Sequence, residues 1–116
     1  MKFLDAEAQC ESDGAYLALP RSDDENDFIA GLIPNEHIWI GLNDIAEEGK
    51  FVTSDGLDLS YTKWDINSNQ PNNYNGSEDG VHIIGKGMSW LTKGFWNDGS
   101  INAMKKFVCL YSIHEN

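Results

Sequence analysis

The chain has 116 residues, enough for one hydrophobic core and not for two, and its 41% hydrophobic and 11% aromatic content excludes the apolar-poor composition of a disordered chain. Eight Lys and Arg against 19 Asp and Glu leave a net charge of −11, which repels phosphate backbones, makes nucleic acid a poor partner and suits cations. No apolar run approaches the roughly 20 residues that span a bilayer, so membrane insertion is not expected.

Phe3, Ala6 and Cys10 fall at helical spacing and predict a helix over residues 3 to 13, stopped by Gly14. The start lacks the basic-then-apolar plan of a signal peptide. Met1 lies directly before this helix, as expected of a domain excised from a longer protein. Ser22 and Glu25 form a capping box for a second helix, with acids at 23 to 25 at its positive end. Its buried face is read as Phe28, Ile29 and Leu32, and its end as Gly31 and Pro34.

From Ile38 the texture changes to short strands. Residues 38–42, Ile-Trp-Ile-Gly-Leu, read as a fully apolar strand. Residues 50–53 and 57–61 flank Ser54-Asp55-Gly56, where Asp-Gly predicts a turn. Residues 81–84 and 106–111 read as two further strands. Between Trp64 and Glu78 runs an Asn-rich stretch too polar to be core, and an irregular loop of that length is usually functional or disordered. The class that follows is α+β, with two early helices, antiparallel strands and one large polar loop.

The two cysteines, Cys10 and Cys109, lack metal-site spacing such as C-x-x-C, which excludes zinc and redox-motif readings. They are either two buried thiols or one disulfide closing nearly the whole chain, the second implying an oxidising compartment. Asp65-x-Asn67-x-Asn69 imitates the start of an EF-hand. The match fails because Gln70 stands where a Gly must turn and Gly76 where a bidentate Glu must ligate. A better set is Gln70-Pro71-Asn72, Glu78-Asp79 and Trp96-Asn97-Asp98, three clusters of side-chain oxygens suited to calcium, which takes six to eight oxygen ligands. The plain alternative is a solvated Asn-rich loop beside an unrelated strand end.

The order Trp39-Ile40-Gly41-Leu42, Tyr61-Thr62-Lys63-Trp64, Gln70-Pro71-Asn72, Glu78-Asp79, Trp96-Asn97-Asp98 and Phe107-Val108-Cys109 resembles the C-type lectin-like domain family, from Phe3 to Tyr111. The resemblance implies that family's fold, two helices with two small antiparallel sheets and a long calcium-binding loop, over a single domain at 1–116. It implies a disulfide between Cys10 and Cys109. It also implies a primary calcium site on Gln70, Asn72, Glu78, Asn97 and Asp98, with an auxiliary site on Asp44, Glu48, Glu78 and Asp79 and with Asn73 in the remaining place. Sugar hydroxyls would meet the metal and Gln70, Asn72, Glu78 and Asn97. The chain departs from the family in three places. Gly80 and Ile101 stand where an inner disulfide belongs, the stretch 81–95 is longer than usual, and the usual N-terminal strand is missing.

Trp39, Trp64 and Trp96 are expected in the core. Tyr74, inside the polar loop, is the candidate for stacking on a sugar, with Trp90 a weaker one and loop packing the alternative. His37, His82 and His114 share no ligand or triad spacing, and paired acids such as Asp23-Asp24 and Glu47-Glu48 fit capping and calcium better than hydrolysis. The sequon Asn75-Gly76-Ser77 would crowd the calcium loop and is expected unused. The expectation is a non-enzymatic, extracellular or cell-surface domain that binds glycans through Ca2+. The lean is to galactose-type sugars. The alternatives are a mineral- or ice-surface binder or a protein-recognition module.

Overall fold

A computed structural model of the chain describes residues 1–33, 35–65, 79–85 and 94–111. Helix α1 (Phe3–Ser12) buries Phe3, Ala6 and Cys10, the face its spacing predicts. Gly14 follows at φ +77°, the left-handed conformation that ends helices at glycine. The chain then enters strand β1 (Ala15–Leu17), whose buried-exposed-buried alternation covers three residues and is too brief for a period-2 reading to detect. Helix α2 (Asp23–Leu32) has Ser22 as its N-cap. The Ser22 hydroxyl accepts from Glu25 N at 3.2 Å, while the Glu25 carboxylate accepts from Arg21 N at 2.8 Å, one residue earlier than a standard capping box.

The inward face of α2 differs from the expected one. Asn26, Ile29 and Ala30 are buried, whereas Phe28 is 62% and Leu32 47% exposed. A polar residue at a core position rotates the helix away from the stripe that hydrophobicity alone selects. Gly31 lies inside the helix, which ends at Leu32, and Pro34 falls outside the described residues.

The remaining strands are β2 (His37–Asn43), β3 (Val52–Thr53), β4 (Gly80–Ile84), β5 (Trp96–Gly99), β6 (Lys106–Phe107) and β7 (Cys109–Tyr111). One sheet runs β3-β2-β4-β5, with β6 also on β2; a second pairs β1 with β7. All these pairs are antiparallel except β2 with β6, which is parallel. The single strand expected over 106–111 is thus divided between the two sheets. Val108 marks the break, and its carbonyl accepts from Ala18 N at 2.8 Å.

Residues 57–61 form no strand. Thr53 Oγ1 donates to Leu57 O at 2.7 Å, and Arg21 forks onto both Asp55 oxygens, at 3.0 and 2.8 Å, and reaches Asp58 O at 3.0 Å. Side chains satisfy this backbone in place of a ladder. The Asp-Gly turn itself forms, with Gly56 at φ +77°.

Alternation along β2 sorts the core. Ile38, Ile40 and Leu42 pack with α2, Val81, Ile83 and Trp96, and Trp39 packs with α1, meeting the Phe3 ring edge-on at 5.3 Å. Trp64 packs partly buried against the first cluster, so all three tryptophans serve the core as expected. Cys10 and Cys109 form a disulfide of 2.05 Å that joins α1 to β7.

Candidate functional site

The site grows from the end of β2. Asn43 Oδ1 accepts from Ile45 N at 3.0 Å, an Asx turn that stops the strand. Gly49 reverses the chain at φ +83°, and its N–H donates to Asp44 Oδ2 at 2.8 Å. Lys50 N closes the turn on Glu47 O at 2.9 Å. The segment therefore wraps around Asp44 and carries Glu48 back over it. From the other side Asp44 N donates to Asp79 O at 3.0 Å, which sets Asp79, one residue before β4, against the turn.

Asp44, Glu48 and Asp79 each present a carboxylate oxygen, and these oxygens lie within 4.8 Å of one another. Asp44 is buried, Asp79 half-buried and Glu48 exposed. Desolvation and then the neighbouring carboxylates push Glu48 above the usual carboxylate range. Asp79 is raised by desolvation first and by the Asp44 charge next, with Asp98 adding to the repulsion. Three acids held together in this way repel one another unless a cation or a proton intervenes.

Strand β5 supplies the other described candidates. Its register sets Asn97 opposite His82, Asp98 opposite Val81 and Gly99 opposite Gly80, so β4 carries Asp79 and β5 carries Asp98 to the same end of the sheet. Asp98 is 3% exposed.

A fit to calcium can be tested on oxygens that lack partners. Asp44 Oδ1, Asp79 Oδ1 and Asn97 Oδ1 are buried and accept no hydrogen bond. Buried acceptors are normally satisfied. The orphaned oxygens of Asp44 and Asp79, from two acids of one cluster, are the hard, anionic donors that Ca2+ takes, while Asn97 stands opposite His82, whose ring nitrogens also lack partners. The residues present fit the ion.

Of the sequence-predicted ligands, the fold brings Asp44, Glu48 and Asp79 together and sets Asn97 and Asp98 on the adjoining strand. Gln70, Asn72, Asn73, Tyr74 and Glu78 lie outside the described residues, as do Trp90, His114 and the sequon at Asn75. His37 and His82, unrelated by spacing, stack at 4.5 Å. Burial holds His82 well below its ordinary pKa and lowers His37 as well. They pair ring to ring as neutral groups, and no cluster of three metal-ligating side chains among the described residues includes them. Asn43 and Gly49 escaped the sequence reading. The signal for them was an Asn directly before Asp44 and a Gly five residues after it.

The family model described as Lectin C-type domain matches residues 1–111. Lectin BRA-3 of Megabalanus rosa is 38% identical over 116 residues, 97% of this chain and 67% of that protein. The Bos taurus protein named C-type lectin domain family 3 member A is 33% identical over 96% of the chain, which spans only 55% of that relative's length. Among solved structures, the C-type lectin CEL-I from Cucumaria echinata superposes with a TM-score of 0.81 at 29% identity, covering 94% of this chain and 81% of that one. The cow CD23 carbohydrate-recognition domain, crystallised with a GlcNAc2Man3 oligosaccharide, gives 0.80 at 29%, covering 94% and 78%. A calcium-independent type II antifreeze protein gives 0.78 at 25%, covering 94% and 77%.

Proposed function

The chain belongs to the C-type lectin domain family, and from that membership we propose that it is an extracellular carbohydrate-binding domain that engages vicinal sugar hydroxyls through Ca2+. The observation that carries the calcium half of the proposal is the group Asp44, Glu48 and Asp79, with carboxylate oxygens within 4.8 Å of one another and one unpartnered oxygen on each of Asp44 and Asp79. Relatives called lectins, one of them crystallised with an oligosaccharide, support the sugar half. No step of the function makes or breaks a covalent bond.

In the proposed arrangement Gln70, Asn72, Glu78, Asn97 and Asp98 hold the primary ion, and Asp44, Glu48, Asn73 and Asp79 an auxiliary one. When bound, calcium supplies a Lewis-acidic centre that takes two sugar hydroxyls. The chain's own residues then read the same hydroxyls. Amides at Gln70, Asn72 and Asn97 turn a carbonyl to the ion and an N–H to a sugar oxygen, and the Glu78 carboxylate accepts a hydroxyl proton more strongly than an amide can. Gln70 makes the set less acidic by one than a Glu in its place, so calcium binds more weakly and selectivity is modest. Tyr74 offers a ring to the flatter apolar face of galactose-type sugars, towards which the preference leans.

Glycan-array binding that EDTA abolishes is the expected result, and binding unaffected by EDTA would refute the proposal. Gln70→Glu should tighten calcium and move preference towards mannose-type sugars; titration calorimetry showing neither would remove Gln70 from this account. Likeness to the antifreeze protein supports a second reading, ice-surface binding. That protein is described as calcium-independent, whereas the unpartnered acid oxygens here call for a cation. An ice-recrystallisation assay in EDTA separates the two.

A further inference from the structure

Asn26 is the one fully buried polar side chain of α2, at 0% exposure, in a helix whose other buried residues are Ile29 and Ala30. Both ends of its amide are used. Oδ1 accepts from Trp96 Nε1 at 2.7 Å, and Nδ2 donates to Gly94 O at 2.6 Å. An indole N–H only donates and a carbonyl only accepts, so the amide orientation follows from its partners. These partners lie 70 and 68 residues away, immediately before the Asn97-Asp98 pair.

The rest of Trp96 is clamped as well. Its N–H donates to Lys63 O at 2.7 Å, its carbonyl accepts from Asp65 N at 2.9 Å, and its ring meets Tyr61 and Trp64 edge-on at 5.9 Å each. Aromatic edges tolerate rotation of the ring, however, whereas a hydrogen bond to one ring atom does not. Asn26 holds the Trp96 ring at its one polar atom and adds a side-chain bond to Gly94, beside the backbone bonds that Gly94 N makes to Ile84 O and Ile84 N to Phe95 O. A leucine there would pack the same space and leave both partners unpaired in the core.

We propose that Asn26 is a positioning residue for the calcium- and sugar-binding pair Asn97 and Asp98, acting through Trp96 and Gly94 rather than touching the ion. This rests on the proposed reading of Asn97 and Asp98 as ligands. It assigns to α2, remote in sequence from Asn97 and Asp98, control over the geometry of that pair.

The test compares Asn26→Leu with Ile29→Val, a core change in the same helix that makes no bond to β5, both at a temperature where near-UV circular dichroism shows them folded. Two quantities are measured: the calcium dissociation constant by calorimetry, and amide exchange of residues 96 to 98 in EDTA. Asn26→Leu should weaken calcium about tenfold or more and speed exchange in β5 without any metal present. Ile29→Val should leave affinity within about twofold and β5 exchange unchanged. Trp96→Phe, which removes the Nε1 donor together with the five-membered ring that carries it and keeps the six-membered ring, should weaken calcium on its own. Combined with Asn26→Leu, it should add less than the sum of the two. It carries the comparison alone if Asn26→Leu does not fold. Equal weakening by the Asn26 and Ile29 changes, or unaltered affinity in Trp96→Phe, would overturn the positioning role while leaving the ligand assignment standing. A wild type that gives no calcium heat would overturn both.

Discussion

At Gly80 an added Cβ would stand 3.0 Å from both Phe3 Cδ1 and Trp39 Cζ3, tight enough that the rings would have to give by a few tenths of an ångström. A cysteine here would therefore have to displace those two rings. The space is filled by Phe3, whose N–H donates to Ile101 O at 3.1 Å, and by Ile101 packed on the same cluster. Gly80 and Gly99 are held in register by the β4–β5 ladder, so backbone pairing replaces the covalent staple beside Asp79. The neighbouring acids make a prediction of the same scale. Asp44 binds Gly49 N through Oδ2, a bond that Asn can also accept, while its Oδ1 has no partner. Asp44→Asn should therefore melt at or above the wild-type temperature in EDTA, because one repelling charge is gone, and should gain less from millimolar calcium. Loss of stability in EDTA with the full calcium increment retained would contradict the cluster's role.

The element whose reading changed most is α2. Its sequence offers two overlapping stripes, one through Phe28, Ile29 and Leu32 and one through Asn26, Ile29 and Ala30. Hydrophobicity selects the first and the fold uses the second. Area arguments price Asn26 as polar surface, but its amide is fully satisfied and costs little once bonded. Phe28, at 62% exposure, has already forgone most of its transfer energy. Phe28→Ser is expected to change stability by no more than about 0.5 kcal/mol, while Ile29→Ala, at a fully buried position, should cost about 2 to 5 kcal/mol. Urea denaturation gives both values, and a Phe28 cost rivalling that of Ile29 would mean that the outer stripe is covered. The short strands behave in the same way. Residues 57 to 61 had the composition of a strand, but Arg21 and Thr53 took their polar groups first.

For the molecule as a whole, the disulfide and the acid site act at opposite ends of the stability balance. Cys10 and Cys109 are 99 residues apart, so their bond removes about 4 to 5 kcal/mol of unfolded-chain entropy in the simplest treatment. Calcium bound as proposed would add about 2.7 kcal/mol at a hundred times its dissociation constant if only the folded state binds it.

That increment depends on pH in a direction the site determines. Glu48 and Asp79 titrate above their ordinary values when no ion is present, so at these two groups the folded apo protein binds more protons than the unfolded chain, and their contribution to apo stability declines as pH rises through that interval. Calcium held as proposed would require the same groups ionised, so that form should lose stability as pH falls through the interval. The histidines act on both forms alike. His37 and His82 are lowered by burial, so stability present above their unfolded value of 6.5 is lost as pH falls below it. The difference in melting temperature between calcium and EDTA cancels the histidines and isolates the acids. It should be largest near neutrality and should vanish as pH falls into the carboxylate range. A difference that is flat with pH would exclude Asp44, Glu48 and Asp79 as the site.

What the sequence determined by itself was local in origin. Helical spacing placed α1, the Ser22 cap placed α2, alternation and an apolar run placed β2 and β4, and the order of short motifs named the family. The residue types also supplied candidate oxygen donors, of which the fold brings Asp44, Glu48 and Asp79 together. What only the tertiary structure decided were the pairings between distant segments. It set Asp44 against Asp79, laid Asn97 and Asp98 beside β4, split residues 106 to 111 between two sheets, and turned α2 so that Asn26 faces Trp96. None of these has a local signal. Each depends on which backbone and side-chain groups find partners once the chain has closed on itself, and a polar residue such as Asn26 becomes a core residue only when both of its partners arrive.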